Sequence, residues 1–387
     1  MRNKMRLGDI ATLITKGTTP TSVGYTFTDT GVNFVKIESI REDGTFIPDK
    51  FAHISDECNT KLKRSQLQEN DILFSIAGAI GRTAIVTKDC LPANTNQALA
   101  IIRIPQGVID YRFLLYALQS DAIIEQAEKQ KQGVAQLNLS LQNINDFEIP
   151  FFTEEEQLTA VEVLSSVDSL LSTRIAQLEQ LDELVKSRFI ELFDDNVPTA
   201  KLGDVCRMIN GDRGRNYPSG DDFVENGVPF VNAGHLQNRK VDFCDMNYIT
   251  EEKFNLLSQG KMQEGDILYC LRGSLGKHGL VDFERGAVAS SLVILRCNQE
   301  QVLPQFLLYA LETPEIELQL KAANNGSSQP NLSAASVKAY DIKLPTIEQQ
   351  KQFVSFVEQT DKSKLAVQQS IGELEELKKS LMQQYFG

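Results

Sequence analysis

The side chains able to do chemistry in this sequence gather in short stretches rich in Gly, Asn, Thr and Ser. Thr15–Ser22 reads TKGTTPTS, with Thr18 and Thr19 at its centre; Lys61–Gln66 reads KLKRSQ, with Lys63 and Arg64; Arg82 closes a glycine turn; and Ala93–Gln97 reads ANTNQ, offering Asn94, Asn96 and Gln97. Further along, NGDRGRNY at Asn210–Tyr217 carries Arg213, Arg215 and Tyr217, and HLQNRK at His235–Lys240 carries His235, Asn238 and Arg239. Arg272, Lys277 and His278 follow in RGSLGKHG, with Ser290 and Ser291 beyond. The composition of these stretches predicts loops. Arg and Lys match guanine edges and phosphates, Asn and Gln match adenine, and Ser and Thr serve either. Any one cluster is equally an ordinary solvated loop; together they point to recognition of DNA by hydrogen bonding.

No pattern for bond-making chemistry accompanies them. A glycine-rich dinucleotide fingerprint, an amino-methyltransferase Asp/Asn-Pro-Pro-aromatic motif, a nucleophile elbow and HExxH are all absent. Gly276-Lys277 resembles the end of a phosphate loop, but Leu271 stands where the first Gly belongs and His278 where Ser or Thr belongs. The matching AGAIGRTA has no Lys, so both segments are expected to be tight turns that aim side chains. PDK at Pro48–Lys50 lacks the further acidic residue of a nuclease site and is expected to be a turn. Six cysteines never form CxxC and only three histidines are present, so neither a zinc site nor a disulfide framework is expected, and the thiols are expected to be free and mostly buried.

The elements that must position these loops come in two copies. FLLYAL stands at Phe113–Leu118 and again at Phe306–Leu311, and other matches keep the same order. RLGDI at Arg6–Ile10 answers KLGDV at Lys201–Val205; GVNFVKI at Gly31–Ile37 answers GVPFVNA at Gly227–Ala233; NDILFSIAGAIG at Asn70–Gly81 answers GDILYCLRGSLG at Gly265–Gly276. QLNLS at Gln136–Ser140 answers QPNLS at Gln329–Ser333, Pro150 answers Pro345, and LDELVKSRFIELF at Leu181–Phe193 answers LEELKKSLMQQYF at Leu374–Phe386. Each copy divides into a lobe and a helix. The lobe has short β-rich runs such as NFVKI, DILFSI and TAIVT with one helical patch at Tyr111–Gln132. The helix carries Leu164, Val167, Leu171, Leu178, Leu181 and Val185 at three-four spacing, and Val367, Ile371, Leu374, Leu377 and Leu381 in the second copy.

A helix of about 40 residues reaches roughly 60 Å, far more than one small lobe needs as a cap. The fold class expected is α+β: two similar mixed α/β recognition domains separated by two long antiparallel coiled-coil helices, with a pseudo-twofold. The boundaries are 1–152 and 197–345 for the lobes, and 153–196 and 346–387 for the helices. The charge of −13 argues against phosphate binding until it is located. Residues 153–195 hold eleven acids against three Lys or Arg, and 346–387 six against five, so the helices carry most of the excess. The lobes are still not basic, which implies a partner that supplies much of the phosphate neutralisation. With 42% hydrophobic residues and no apolar run long enough for a membrane helix, a cytoplasmic protein with no membrane association is expected.

In this order, and twice over, the motifs LGDI, GVPFVNA, GDILYCLRGSLG, FLLYAL, QPNLS and LEELKKSLMQQYFG resemble the specificity subunit of Type I restriction-modification systems, over essentially the full length. The resemblance implies two target recognition domains that each read half of an asymmetric bipartite site in double-stranded DNA, with the helices setting the spacing. It implies a noncatalytic chain that binds no cofactor itself. Its partners would be two modification subunits, which bring S-adenosylmethionine and methylate adenine, and restriction subunits, which use ATP and Mg. Leu181, Leu184 and Phe193, with Leu374, Leu377 and Phe386, are the expected docking surface. A scaffold that binds two partner copies without reading DNA, or a self-contained enzyme with a site across the lobes, would be the competing functions.

Overall fold

The computed structural model describes residues 4–130, 138–193, 196–324 and 331–387. Gln136, Leu137, Gln329 and Pro330 of the repeated QLNLS and QPNLS, and the end of the helical patch at 131–132, lie outside the described residues. The chain forms two units, one of Met1–Ile175 with Gln369–Gly387, the other of Ala176–Gln368.

In the first unit Leu13–Lys16, Leu99–Arg103, Ile72–Ser75 and Thr83–Ile85 form an antiparallel sheet in that order. A second sheet places Val32–Val35 between Ala52–Ile54, antiparallel, and Ala93–Thr95, parallel. Within DILFSI, Ile72, Leu73 and Phe74 are apolar without alternation because both faces of the strand are covered. Ile72 and Phe74 enter one core with Phe113, Leu114 and Ala117, while Leu73 points into another with Val35 and Ile101. That is the structural reason for FLLYAL, which packs nearly all its side chains on the sheet. The helical patch is two helices, Tyr111–Gln119 and Asp121–Gln130, broken at Ser120.

The second unit repeats this plan and adds to it. Cys206–Asn210, Leu292–Cys297, Ile267–Cys270 and His278–Leu280 repeat the first sheet, and Arg239–Val241 and Leu236–Gln237 extend it to six strands. Phe223–Val224 and Lys261–Gln263 widen the other sheet to five. HLQNRK is thus a strand pair rather than a loop, turned at Asn238 and Arg239, whose φ values are 47° and 62°. Again the buried strand splits its residues, Ile267 and Tyr269 to the core holding FLLYAL, Leu268 and Cys270 to its opposite.

Two repeated polar devices fix both lobes. Asp71 accepts two hydrogen bonds from Arg103 at 2.6 Å, and Asp266 accepts two from Arg296 at 2.8 and 2.7 Å; each aspartate is 1% exposed and also accepts from the backbone N–H of Gln68 or Gln263. Gln157 and Gln350 lie buried at the starts of the long helices. Each donates to the carbonyl of the residue two places ahead of its helix, Phe152 or Pro345, and accepts from the N–H at the start of FLLYAL's helix, Asp110 or Leu303.

The long helices span Glu154–Leu192 and Ile347–Phe386. Within the first unit the chain directions oppose: Phe152 meets Phe386 and Asp168 pairs with Lys378 at 2.7 Å. In the second unit they oppose likewise, with Asp182 on Lys364 at 2.6 Å and Phe193 against Phe353. Leu164, Val167 and Val185 are buried on the expected stripe, with Leu171, Leu178 and Leu181 half-buried. Leu377 departs from it. It is 47% exposed, and the neighbouring Lys378 turns inward to Asp168 instead. Among the described residues no helix is long and apolar enough to cross a membrane.

Candidate nucleic-acid interface

In each lobe two of the predicted stretches come together. Strand Leu13–Lys16 runs into TKGTT, which lies against ANTNQ: a Cβ on Gly17 would sit 1.9 Å from the Thr95 carbonyl, and Thr18 N–H donates to that oxygen at 3.2 Å. Thr19 Oγ1 donates to Gln97 Oε1. Correspondingly, Cys206–Asn210 runs into NGDRG, and a Cβ on Gly211 would come within 2.5 Å of the Ala289 carbonyl. Only glycine lets the two segments touch. Arg213 Nη2 donates to the Ser290 carbonyl at 3.2 Å, so this arginine, exposed like Arg215, is held at the meeting point.

The second lobe has a cavity of about 350 Å³ here, lined by Asn210, Arg213, Gln259, Arg272 and Asn331. Arg272 Nε donates to Asn331 Oδ1 at 3.2 Å, and Leu332 N–H reaches the Leu271 carbonyl at 2.8 Å. The NLS motif thereby explains itself: its Leu is buried, its Ser caps the next helix, and its Asn faces the glycine turn. Asp212, which composition did not single out, organises the loop. It is 4% exposed and accepts from Gly214 N–H, Ser258 N–H and Ser258 Oγ, each at 2.8 Å. The Gly214 N–H and the Ser258 hydroxyl hold its carboxyl below the usual range.

Other candidates are placed elsewhere or are unable to reach a ligand. Asn94 is wholly buried, its amide donating to Asn59 Oδ1 and the Leu62 carbonyl while its Oδ1 accepts from Thr95 N–H. No donor is left for a base edge. His235 is 6% exposed, with Nδ1 accepting from Asn232 N–H and Nε2 against the Asp245 carbonyl. His278 is 7% exposed, its ring between the carbonyls of Gly276 at 2.8 Å and Leu308 at 2.9 Å. All three are framework residues, because polar side chains removed from water must find partners inside. Arg239 forms a two-bond pair with Glu312 at 2.9 and 2.6 Å and lies 4.3 Å over the Tyr309 ring, whose hydroxyl burial pushes up to about 12. With Lys277 and Asn238 it lines a separate groove of about 1070 Å³ that also holds Asp182, Lys186 and Lys364. Arg82 is half-buried, donating to the Ile40 carbonyl at 3.1 Å. Lys63, Arg64 and Gln97 are exposed; Thr18, Thr19, Asn96 and Tyr217 are half-buried, Tyr217 with its ring edge-on to Phe230.

The expected docking residues divide in the same way. Phe193 and Phe386 are 1% and 3% exposed and belong to the lobe cores, Phe193 against Phe306 and Phe386 against Phe113, each at 5.2 Å. Leu181 and Leu374 sit half-buried in the seams. Leu184 and Leu377 remain open, 49% and 47% exposed. Among the described residues no group of three or more His, Cys, Asp or Glu could hold a metal ion.

This duplicated scaffold with unlike polar tips has known relatives. The Type I restriction modification DNA specificity domain matches residues 2–180 and again 195–379, and the chain belongs to that family. The specificity subunit of the Type I restriction enzyme EcoBI of Escherichia coli is 22% identical over 299 residues, which are 69% of this chain and 62% of that subunit. The MjaIX specificity subunit of Methanocaldococcus jannaschii is 27% identical over 202 residues, 46% of this chain and 44% of that one. The matched stretches thus span less than two thirds of these curated relatives. In fold, the Type I restriction-modification S subunit from M. genitalium aligns with a TM-score of 0.54 at 16% identity, covering all of this chain and 96% of that one. A chain from a structure of a type I R-M system aligns at 0.63 and 18%, covering 99% and 97%.

Proposed function

We propose that this chain is a cytoplasmic, noncatalytic specificity subunit that reads double-stranded DNA for a Type I restriction-modification complex. Each lobe reads one half of a bipartite, asymmetric site. The observation that carries this function is the pairing, in both lobes, of a repeated Asp–Arg frame with loops of different polar content. A common frame with divergent tips is how one fold serves two targets. The base-reading set in the second lobe is Arg213, Arg215 and Arg272 with Asn210, Gln259 and Asn331; in the first it is Thr18, Thr19, Lys63, Arg64, Asn96 and Gln97. Leu184 and Leu377 are the apolar points on which two modification subunits dock. Those subunits supply S-adenosylmethionine and the methyl transfer, and restriction subunits supply ATP- and Mg-dependent cleavage.

The net charge of −13 favours a second function, a scaffold that binds two partner copies without touching DNA. The test is to express the chain with and without its cognate modification subunits and map methylated adenines across the genome. A bipartite motif that needs both components, and whose halves change separately when a lobe is exchanged, supports the reader. An active complex with no motif, or methylation without this chain, supports the scaffold.

A further inference from the structure

Cys206 and Cys297 stand directly opposite each other on neighbouring antiparallel strands of the second lobe. Their sulfurs are 3.7 Å apart. The Asn298 N–H donates to the Val205 carbonyl at 2.9 Å, which makes Cys206–Cys297 a pair without backbone hydrogen bonds to each other. Such pairs hold their Cα atoms about 4.5 Å apart, closer than the hydrogen-bonded kind. That separation falls inside the range a disulfide spans, about 4.4–6.8 Å. The pair is not required by the frame. In the first lobe the counterpart of Arg207–Arg296 is Leu13–Arg103, and the residues that follow it outward are Thr12 and Ile104. Cys206 is buried, whereas Cys297 is only partly buried and is the more accessible of the two. The other thiols have no such partner: Cys58, Cys90 and Cys270 are buried and apart, and Cys244 is exposed.

We propose that Cys206 and Cys297 are a modification site, a thiol pair that forms a reversible disulfide when it meets a low-molecular-weight disulfide. The sulfur of Cys297 attacks one sulfur of the reagent and releases one reagent thiol. Cys206 then attacks Cys297 in the mixed disulfide and releases the second. Two protein thiols are oxidised, one reagent disulfide is reduced to two thiols, and the two protons leave with them. The bond would tie the strand that leads into Gly211–Arg213 to its neighbour. The Cys206 contact and burial both push the Cys297 thiol up, so the reaction is expected to be slow near neutral pH.

The test incubates the full chain with oxidised glutathione and follows intact mass and non-reducing tryptic maps. The expected map links Leu202–Arg207 to the peptide that begins at Cys297, two hydrogens lighter than the sum of the two, and dithiothreitol separates them. Cys244→Ser should leave this link intact, and Cys297→Ser should abolish it. The proposal is overturned if Cys244 is fully modified while the two peptides stay reduced, or if Cys297 accumulates a glutathione adduct without the cross-link. The outcome is independent of whether the chain reads DNA.

Discussion

At one place the two lobes carry the same backbone and different chemistry. AGAIGR and RGSLGK form matching turns, closed by Gly81 N–H on the Ser75 carbonyl and Gly276 N–H on the Cys270 carbonyl, both at 3.1 Å. Their glycines have φ of 90° and 79°, and a Cβ on either would lie 2.5 Å from Ile124 or Leu320. In the first lobe the next residue, Thr83, accepts one hydrogen bond from Gln119 at 2.9 Å. The second lobe has His278 and Glu312 in those positions, and its additional strand brings Arg239 to Glu312. Backbone geometry is therefore the inherited part, and polar content is what each lobe changes. An added strand supplied a charge that the shared frame does not contain.

The largest effects should fall where the lobes agree. Phe386→Ala in the first unit and Phe193→Ala in the second each remove a buried ring from a core containing FLLYAL, and each is expected to cost about 3–5 kcal/mol. Urea unfolding followed by hydrogen exchange would show the loss in the unit that holds the ring; a loss in neither would mean the rings are not core. Asp71→Ala and Asp266→Ala each leave an arginine without its carboxylate. About 3 kcal/mol is expected, the low end for buried pairs because each arginine side chain keeps roughly a quarter of its exposure. Exchange protection at Ile72–Ser75 and Ile267–Cys270 should fall equally, and unequal losses would break the claim of a common frame. Where the lobes differ, so should the response. Glu312→Ala removes charge-assisted bonds worth about 1.5–3 kcal/mol, against about 0.5–1.5 kcal/mol for Gln119→Ala. Equal thermal shifts would show that the additional ion pair contributes nothing.

The parts of this molecule that could be recognised in the sequence are those that repeat. NDILFSI and GDILYCL were legible as repeated β-rich runs, but neither the covering of both their faces nor the pairing of their Asp was, because Arg103 and Arg296 lie too far along the chain to be assigned to it by spacing. The helical stripe was legible at Leu164, Val167 and Val185, which pack as the period requires. It failed at Leu377, because an ion pair to Asp168 drew Lys378 into the seam. The expected docking surface failed at Phe193 and Phe386, because a helix end inserted into a core looks no different in sequence from an exposed one. Loop chemistry was the least legible. Asn94, His235 and His278 have the composition of readers, yet each is buried, Asn94 and His278 by partners 30 or more residues away and His235 by the turn-and-strand segment around it. Asp212 escaped notice for the converse reason, since its partner Ser258 stands 46 residues away.

Two smaller effects would sharpen the contrast at the recognition loops. Arg213→Ala or Arg272→Ala should weaken binding by about 1–3 kcal/mol at one half-site only, read by competition with DNA altered in either half. Equal loss at both halves would contradict two independent readers. Acid should loosen the same loop through Asp212. Hydrogen bonds from Gly214 and Ser258 lower its folded pKa. Its stabilisation is therefore fully present above the ordinary aspartate pKa of about 3.9 and disappears as pH falls through the depressed folded value. Amide exchange at Gly214 and Ser258, corrected for intrinsic rate, should rise in that window, and Asp212→Asn should flatten the rise. The first lobe has no counterpart, since Thr18 donates to the Thr95 carbonyl through its backbone N–H, a bond that does not titrate. A loop held by a carboxylate and a loop held by peptide groups should thus part company in acid while their common strands stay folded.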